Sequence, residues 1–219
     1  MKFDFSYTWD ALPRLLQGAV ITVEVSLAAM ALSLALAIVL TILQTSGNRI
    51  ATGFVRAYIS YVRGTPLLIQ IFIIFYIVPL IGLELGPLLA GILALGLSSA
   101  AFTTEIMRGG LAAIPKTQFE AAQSLGLSTP TVWGRVILPQ IFNLILPPLV
   151  NEFTLVIKAT PLISVITVVE LMRIAQQIYN ENFRPFEVLV GVALIFFVLN
   201  FALTRVVALL ERRAAVKLA

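Results

Sequence analysis

The sequence predicts an all-α polytopic membrane protein of about five transmembrane helices, and three observations carry that prediction. Of 219 residues, 59% are hydrophobic and only 12% are charged, roughly half the charge of a soluble domain. The mean hydropathy is +1.00. The few charges punctuate the chain at close to the interval of about 20 apolar residues that a helix needs to cross a hydrocarbon core of about 30 Å. So little charge cannot cover a water-facing surface, which disfavours a cytosolic enzyme, a nucleic-acid binder and a disordered adaptor.

The spans follow in order. Gly18 to Leu43 is the first, interrupted only by Glu24. Gly64 to Leu83 is uncharged and gives the second, with a start as early as Phe54. Leu85 to Thr104 is the third. Val136 to Ile157 is the fourth, broken by Pro139, Pro147, Pro148 and Glu152. Phe186 to Thr204 is the fifth. Ala159 to Val169 is apolar but only 11 residues long, too short to span, and predicts a re-entrant or interfacial piece. The first apolar run is too long for a cleaved signal peptide, and the segment before it carries Asp4 and Asp10. No internal repeat is visible, and residues 1–219 read as a single transmembrane domain.

Five spans place the termini on opposite sides, and basic residues set the orientation. With the N-terminus outside, the inner side receives ten basic residues: Arg49, Arg56, Arg63, Arg108, Lys116, Arg135, Arg205, Arg212, Arg213 and Lys217. The outer side then receives five: Lys2, Arg14, Lys158, Arg173 and Arg184. N-out, C-in is the expectation. The net charge of +4 is the loop excess of Lys and Arg rather than a nucleic-acid surface. There is no Cys and no His, which removes disulfides, thiolate or imidazole metal ligands, a cysteine nucleophile and the commonest general base.

The loop from Gly109 to Arg135 is the most informative. Pro115 opens a short helix over Lys116 to Leu125, and Gly126 supplies its C-terminal stop. Ser128 or Thr129 then caps a second short helix with Pro130 in its first turn. Ala121 and Ala122 leave a flat patch that another backbone could approach, with Glu120 at its edge. Residues alone allow two readings, a docking knob or an ordinary polar connector.

The chain reads Glu120-Ala121-Ala122, three residues, Gly126, ten residues and then Ile137-Leu138-Pro139. This order resembles the EAA signature of ABC importer permeases. Arg63-Gly64-Thr65-Pro66-Leu67-Leu68, Glu105-Ile106-Met107-Arg108-Gly109-Gly110, Ile114-Pro115, Leu138-Pro139-Gln140, Leu146-Pro147-Pro148, Asn151-Glu152 and Glu211-Arg212-Arg213 resemble one branch of it, the polar amino-acid uptake permeases of the histidine/glutamine/arginine type. The resemblance runs in order over about residues 18–213.

That resemblance implies the transmembrane subunit of an ATP-driven importer of polar amino acids in a bacterial inner membrane. It implies a coupling helix at Glu120, Ala121, Ala122 and Gly126 between helices three and four. The implied partners are two ATP-binding subunits, a second permease subunit (the same chain or a paralogue), a periplasmic amino-acid-binding protein and membrane lipid. This chain has no GxxxxGK[ST] phosphate loop, so no catalytic residue and no cofactor is expected in it, with ATP and Mg bound by the partner. Where the family often reads K-D-T-S-L, this chain reads Lys158-Ala159-Thr160-Pro161-Leu162, so substrate identity is not carried over.

Ionisable groups inside a span cost roughly 2.5–3.5 kcal/mol at its centre and normally face a cavity or a partner. Glu152 and Lys158 are therefore candidates for the substrate path, and the resemblance adds Thr160, in the neighbourhood that contributes to the pocket where a related permease itself holds an amino acid. Glu152 and Lys158 lie nearly two turns apart on a continuous helix and cannot pair directly; a structural pairing of Glu152 with a neighbouring helix is the alternative. Glu24 is expected to pair with Arg14 or another helix. Glu105 and Arg108, three apart, suit a local ion pair with a structural or gating role. Arg63 and Pro66 mark a break in helical regularity, either a hinge or a tolerated kink. Two other function classes compete: a stand-alone secondary transporter or channel, which usually shows inverted repeats and more spans, and a membrane-embedded enzyme, left with only carboxylates, Lys and Tyr.

Overall fold

The computed structural model describes the backbone of residues 3–216 and the side chains as far as Arg205. Lys2, Lys217 and the side chains of Arg212 and Arg213, counted above for orientation, lie outside the described residues.

Helix α1 (Phe5–Thr45) has 41 residues, about 61 Å of helix and twice the thickness of a hydrocarbon core. Asp4 caps it, accepting a hydrogen bond from the Ser6 amide at 2.9 Å. Its buried stripe is small: Ala11, Gly18, Thr22, Ser26, Ala29, Ser33 and Ala37 recur at helical spacing. Such a stripe lets backbones approach closely, which is how helices associate where lipid removes the hydrophobic drive. Helix α4 (Pro87–Ala112) uses it. A methyl on Gly96 would stand 2.7 Å from Leu32 Cδ2 and 3.1 Å from the Ala29 carbonyl oxygen.

Helix α2 (Arg49–Gly64) follows, capped by Asn48. The second predicted span, Gly64 to Leu83 with a start as early as Phe54, is not one continuous helix. The chain bends by 110° between Gly64 and helix α3 (Leu67–Phe72), because Pro66 has no amide and pushes Thr65 into the extended region. The Gln70 side-chain amide bridges the bend, donating to the carbonyls of Val62 and Thr65 at 3.0 and 3.1 Å and to Thr65 Oγ1 at 3.1 Å. Beyond α3 the chain widens into a π turn, Ile73–Ile77, and then tightens into a 3₁₀ turn, Val78–Ile81. Counted as one broken span, α2 and α3 join four longer apolar helices to make five.

Helix α4 runs on to Ala112, so Glu105 and Arg108 stand inside it. Helix α5 (Lys116–Ser124) occupies the predicted place. The predicted second short helix is instead the beginning of the fourth span. Helix α6 (Thr129–Val132) passes through a π turn, Trp133–Ile137, straight into helix α7 (Leu138–Ala159). The Ser128 side chain does not cap it and bonds Thr131 Oγ1 at 2.8 Å. The wide turn falls two residues before Pro139, where the missing amide requires a change of hydrogen-bond register. Pro147 and Pro148 do not break α7.

The Ala159–Val169 segment, expected as a re-entrant or interfacial piece, packs inside the bundle. A 3₁₀ turn, Thr160–Ile166, puts Ile163 and Ile166 wholly inside the central cluster with Val25, Ala29, Ile71, Ala90 and Ala94. Non-helical backbone is tolerated at membrane depth where protein surrounds it. Helix α8 (Leu171–Asn182), with no counterpart in the sequence reading, begins at Glu170 and packs against α1. Glu24 is exposed, and the partner of Arg14 is Glu181 on α8, at 2.6 Å. Helix α9 (Pro185–Val216) closes the bundle.

Candidate functional site: a polar cavity between α2, α4 and α7

Glu152 on α7 is 7% exposed and borders a cavity of about 230 Å³. Ser99 on α4 donates to its Oε1 at 2.8 Å. Ser33 on α1 donates to Ser99 Oγ at 3.1 Å and lies 2.9 Å from Thr103 Oγ1. Since the single Ser33 proton is committed to Ser99, Thr103 is the donor to Ser33. Three hydroxyls thus form one chain, all oriented toward the carboxylate, and such chains polarise cooperatively. Among the described residues Glu152 is in no ion pair.

The opposite wall is the end of α2 and its bend. Val62, Arg63, Thr65 and Leu67 line the cavity, and Leu95, Leu155 and Val156 supply apolar surface. The Arg63 guanidinium lies 5.9 Å from the centroid of the Phe102 ring, a distance at which the ring quadrupole attracts a cation. One small chamber therefore presents a carboxylate and a guanidinium with apolar surface between them. That is the complement of a zwitterion with a side chain. Its volume lies below the roughly 300–1,000 Å³ of drug-sized pockets and matches a small metabolite.

Of the three predicted path residues, the cavity takes only Glu152. Lys158 is exposed and outside the lining. Thr160 is fully buried with its hydroxyl turned back to the Ile157 carbonyl at 2.9 Å. Arg63 joins Glu152 at the cavity, and Pro66 sits at the bend beside it. Glu105 and Arg108 form the predicted local pair, with contacts of 3.0 and 2.7 Å, away from this chamber. Ser98, Ser99 and Ser33 were not singled out from the sequence. The signal was the polar run Ser98-Ser99 and Thr103-Thr104 inside an otherwise apolar span.

The α5 loop is a separate surface. Glu120 and Ala121 are exposed, but Ala122 is 5% exposed and packs with Ile114, Val132, Ile137 and Ile141. Ala122 thus anchors α5 to its own bundle and cannot belong to a flat outer patch. Gly126 has φ +70°, a left-handed conformation that glycine adopts without penalty. Two further contacts fasten α5 to the fourth span: Gln118 and Gln140 exchange side-chain amide bonds at 3.0 and 2.8 Å, and Phe119 meets Trp133 edge-on, with 5.8 Å between centroids.

Comparison with known proteins gives a consistent result. Residues 30–216 match the model of the family described as binding-protein-dependent transport system inner membrane component. The glutamine transport system permease protein GlnP of Escherichia coli (strain K12) is 35% identical, over 97% of this chain and 98% of that protein. The octopine permease OccM of Rhizobium meliloti is 36% identical, over 96% and 90%. The arginine permease ArtQ of Bacillus subtilis (strain 168) is 35% identical, over 97% and 98%. Among solved structures, an amino acid ABC transporter crystallised with histidines superimposes with a TM-score of 0.90 at 31% identity, covering 97% of this chain and 100% of that one. The MetNI methionine transporter, at 19% identity and a TM-score of 0.65, shares the fold.

Proposed function

Because the chain belongs to the family of binding-protein-dependent transport system inner membrane components, we propose that the Glu152 cavity is where it holds an amino acid during import. The protein is a multi-pass permease subunit of an amino-acid ABC importer. It is not an enzyme; in this family a separate subunit carries the ATPase. The single observation that carries the proposal is that a buried glutamate, Glu152, and an arginine, Arg63, line the same small chamber. Glu152 receives the substrate ammonium, Arg63 receives its carboxylate, and the apolar lining accepts the side chain.

The α5 loop faces the cytoplasm in this reading, with the N-terminus outside. Glu120 and Ala121 meet a groove of the ATPase, which binds ATP and Mg. The Gln118–Gln140 pair and the buried Ala122 support transmission from α5 to α7, because they tie the docking helix to the helix that carries Glu152. From Gln140 to Glu152 is about 18 Å along that helix. Closure of two ATPase subunits then moves α7 against α2 and opens or shuts the chamber. The exposed positions Leu144, Pro148, Asn151, Leu155 and Lys158 recur at helical spacing on α7, which supports a second permease subunit covering that face. A separate periplasmic binding protein delivers substrate to the outer side.

The test is uptake and substrate-stimulated ATP hydrolysis by the complex reconstituted with its binding protein, for wild type and Glu152→Gln. Loss of uptake with assembly retained is the expected result. Unchanged uptake and unchanged ATPase stimulation would return Glu152 to a purely structural role.

A further inference from the structure

Among the described residues that line the Glu152 chamber, only Glu152 and Arg63 carry a charge. The proposed function uses both, the carboxylate for the substrate ammonium and the guanidinium for the substrate carboxylate. No charged group is left over for a side chain. Two of the lining hydroxyls are also committed. Thr65 Oγ1 donates to the Tyr61 carbonyl at 2.9 Å and Ser99 Oγ to Glu152 at 2.8 Å, so neither proton is free for a substrate.

The lining is sorted along its length as well. Glu152 and Ala159 stand seven residues apart on α7, nearly two full turns, so they share a face about 10 Å apart. The end at Ala159 is apolar, because Ala159 and Leu67 pack against the buried Leu95 and Val156 in one cluster. Lys158, the neighbour of Ala159, is exposed and outside the lining. Nor does a helix end supply negative charge there. Helix α7 runs directly into the 3₁₀ turn, and the Thr160 amide and hydroxyl both return to the Ile157 carbonyl.

We propose that the chamber admits a net-neutral α-amino acid, one whose side chain is uncharged, and that Ala159 is the position that excludes a cationic one. The inference rests on the reading of the chamber as an amino-acid site and adds which substrates that site takes. A lysine or arginine held at Glu152 by its ammonium would carry its second cation toward Ala159, where nothing neutralises it. A glutamate would bring a second carboxylate to the same apolar end, with Arg63 already engaged. An unpartnered charge on apolar surface is costly, and such a mismatch is how a site rejects a competing ligand.

Direct binding of radiolabelled amino acids to the purified complex with its ATPase tests this, without the periplasmic binding protein, so that the preference measured is the chamber's own. Wild type should bind a net-neutral amino acid, leucine or glutamine, about 10–100-fold more tightly than lysine or glutamate, the range set by one unpartnered polar group. Ala159→Asp places a carboxylate at the far end and should raise lysine affinity about ten-fold or more. Ala159→Asn, matched to it in volume but uncharged, should not. Lysine bound by wild type as tightly as glutamine, with both lost in Glu152→Gln, would overturn the inference and leave the chamber an amino-acid site. Binding of every amino acid unchanged in Glu152→Gln would overturn the reading of the chamber itself, and the inference with it.

Discussion

Gly18 on α1 faces the first residue of α8 so closely that a methyl group in place of its hydrogen would stand 2.8 Å from Leu171 Cα and 3.0 Å from its amide nitrogen. Backbone cannot rotate away as a side-chain tip can. Gly18→Ala must therefore displace α8 from α1, and overpacking of this kind costs about 1–3 kcal/mol. Gly109→Ala meets nothing within 4 Å and should gain helix propensity. Thermal unfolding of the purified protein in detergent should rank the two well apart, with Gly18→Ala below wild type and Gly109→Ala at or above it.

Gln70 concentrates three hydrogen bonds at the 110° bend. Leucine has a similar volume but leaves the Val62 and Thr65 carbonyls without that donor. An unsatisfied buried polar group costs about 1–3 kcal/mol, so Gln70→Leu should loosen the junction of α2 and α3. Hydrogen exchange at residues 62–70 should rise several-fold over wild type, while exchange in α9 stays the same. Equal protection in both proteins would show that packing alone holds the bend.

These two features separate what the sequence could reveal from what it could not. Span count, the α5 helix, the Gly126 stop and the Glu105–Arg108 pair all depend on residues close in sequence, and charge spacing or turn chemistry exposes them. The Ser99–Glu152 contact joins residues 53 apart, and which helix faces meet is a tertiary property. Ala122 was misread for a related reason: α5 has only nine residues, too few turns to distinguish its packed side from its open side. Thr160 follows the break after α7, whose 3₁₀ geometry turns the hydroxyl onto the backbone. Helix α8 escaped notice because it is short and mixed in polarity, and its apolar face acquires meaning only against α1.

The Arg14–Glu181 pair ties the end of α8 to α1, with contacts of 2.6 and 3.0 Å. The hydrogen bond from Arg14 holds the Glu181 carboxyl below the ordinary glutamate range. A carboxylate lowered on folding stabilises the native state above its unfolded pKa, and that contribution disappears as pH falls through the lowered native value. Both side chains are largely solvated, so the effect is small and salt-sensitive. Comparing thermal unfolding of wild type and Glu181→Gln across pH should show a gap at neutral pH that closes in acid and in high salt. A gap that persists at low pH would mean that the pair acts through packing rather than charge.

The reciprocal amide bonds between Gln118 and Gln140 join α5 to the start of α7. If α5 is where an ATPase docks and force reaches the Glu152 cavity along α7, weakening this joint should separate hydrolysis from transport without abolishing either assembly or nucleotide turnover. Each neutral hydrogen bond contributes about 0.5–1.5 kcal/mol net, so Gln118→Ala alone should lower the ratio of substrate moved to ATP hydrolysed by several-fold. Gln140 also donates to the Val136 carbonyl at 2.8 Å, so its own replacement should cost more stability than that of Gln118. The decisive measurement is a double-mutant cycle on the transport-to-hydrolysis ratio in proteoliposomes. Residues acting through one shared contact are non-additive: once Gln140→Ala is present, Gln118→Ala should reduce coupling little further. Fully additive losses would mean that α5 drives α7 by another route, and the buried Ala122 and the Phe119–Trp133 contact would be the elements to test next.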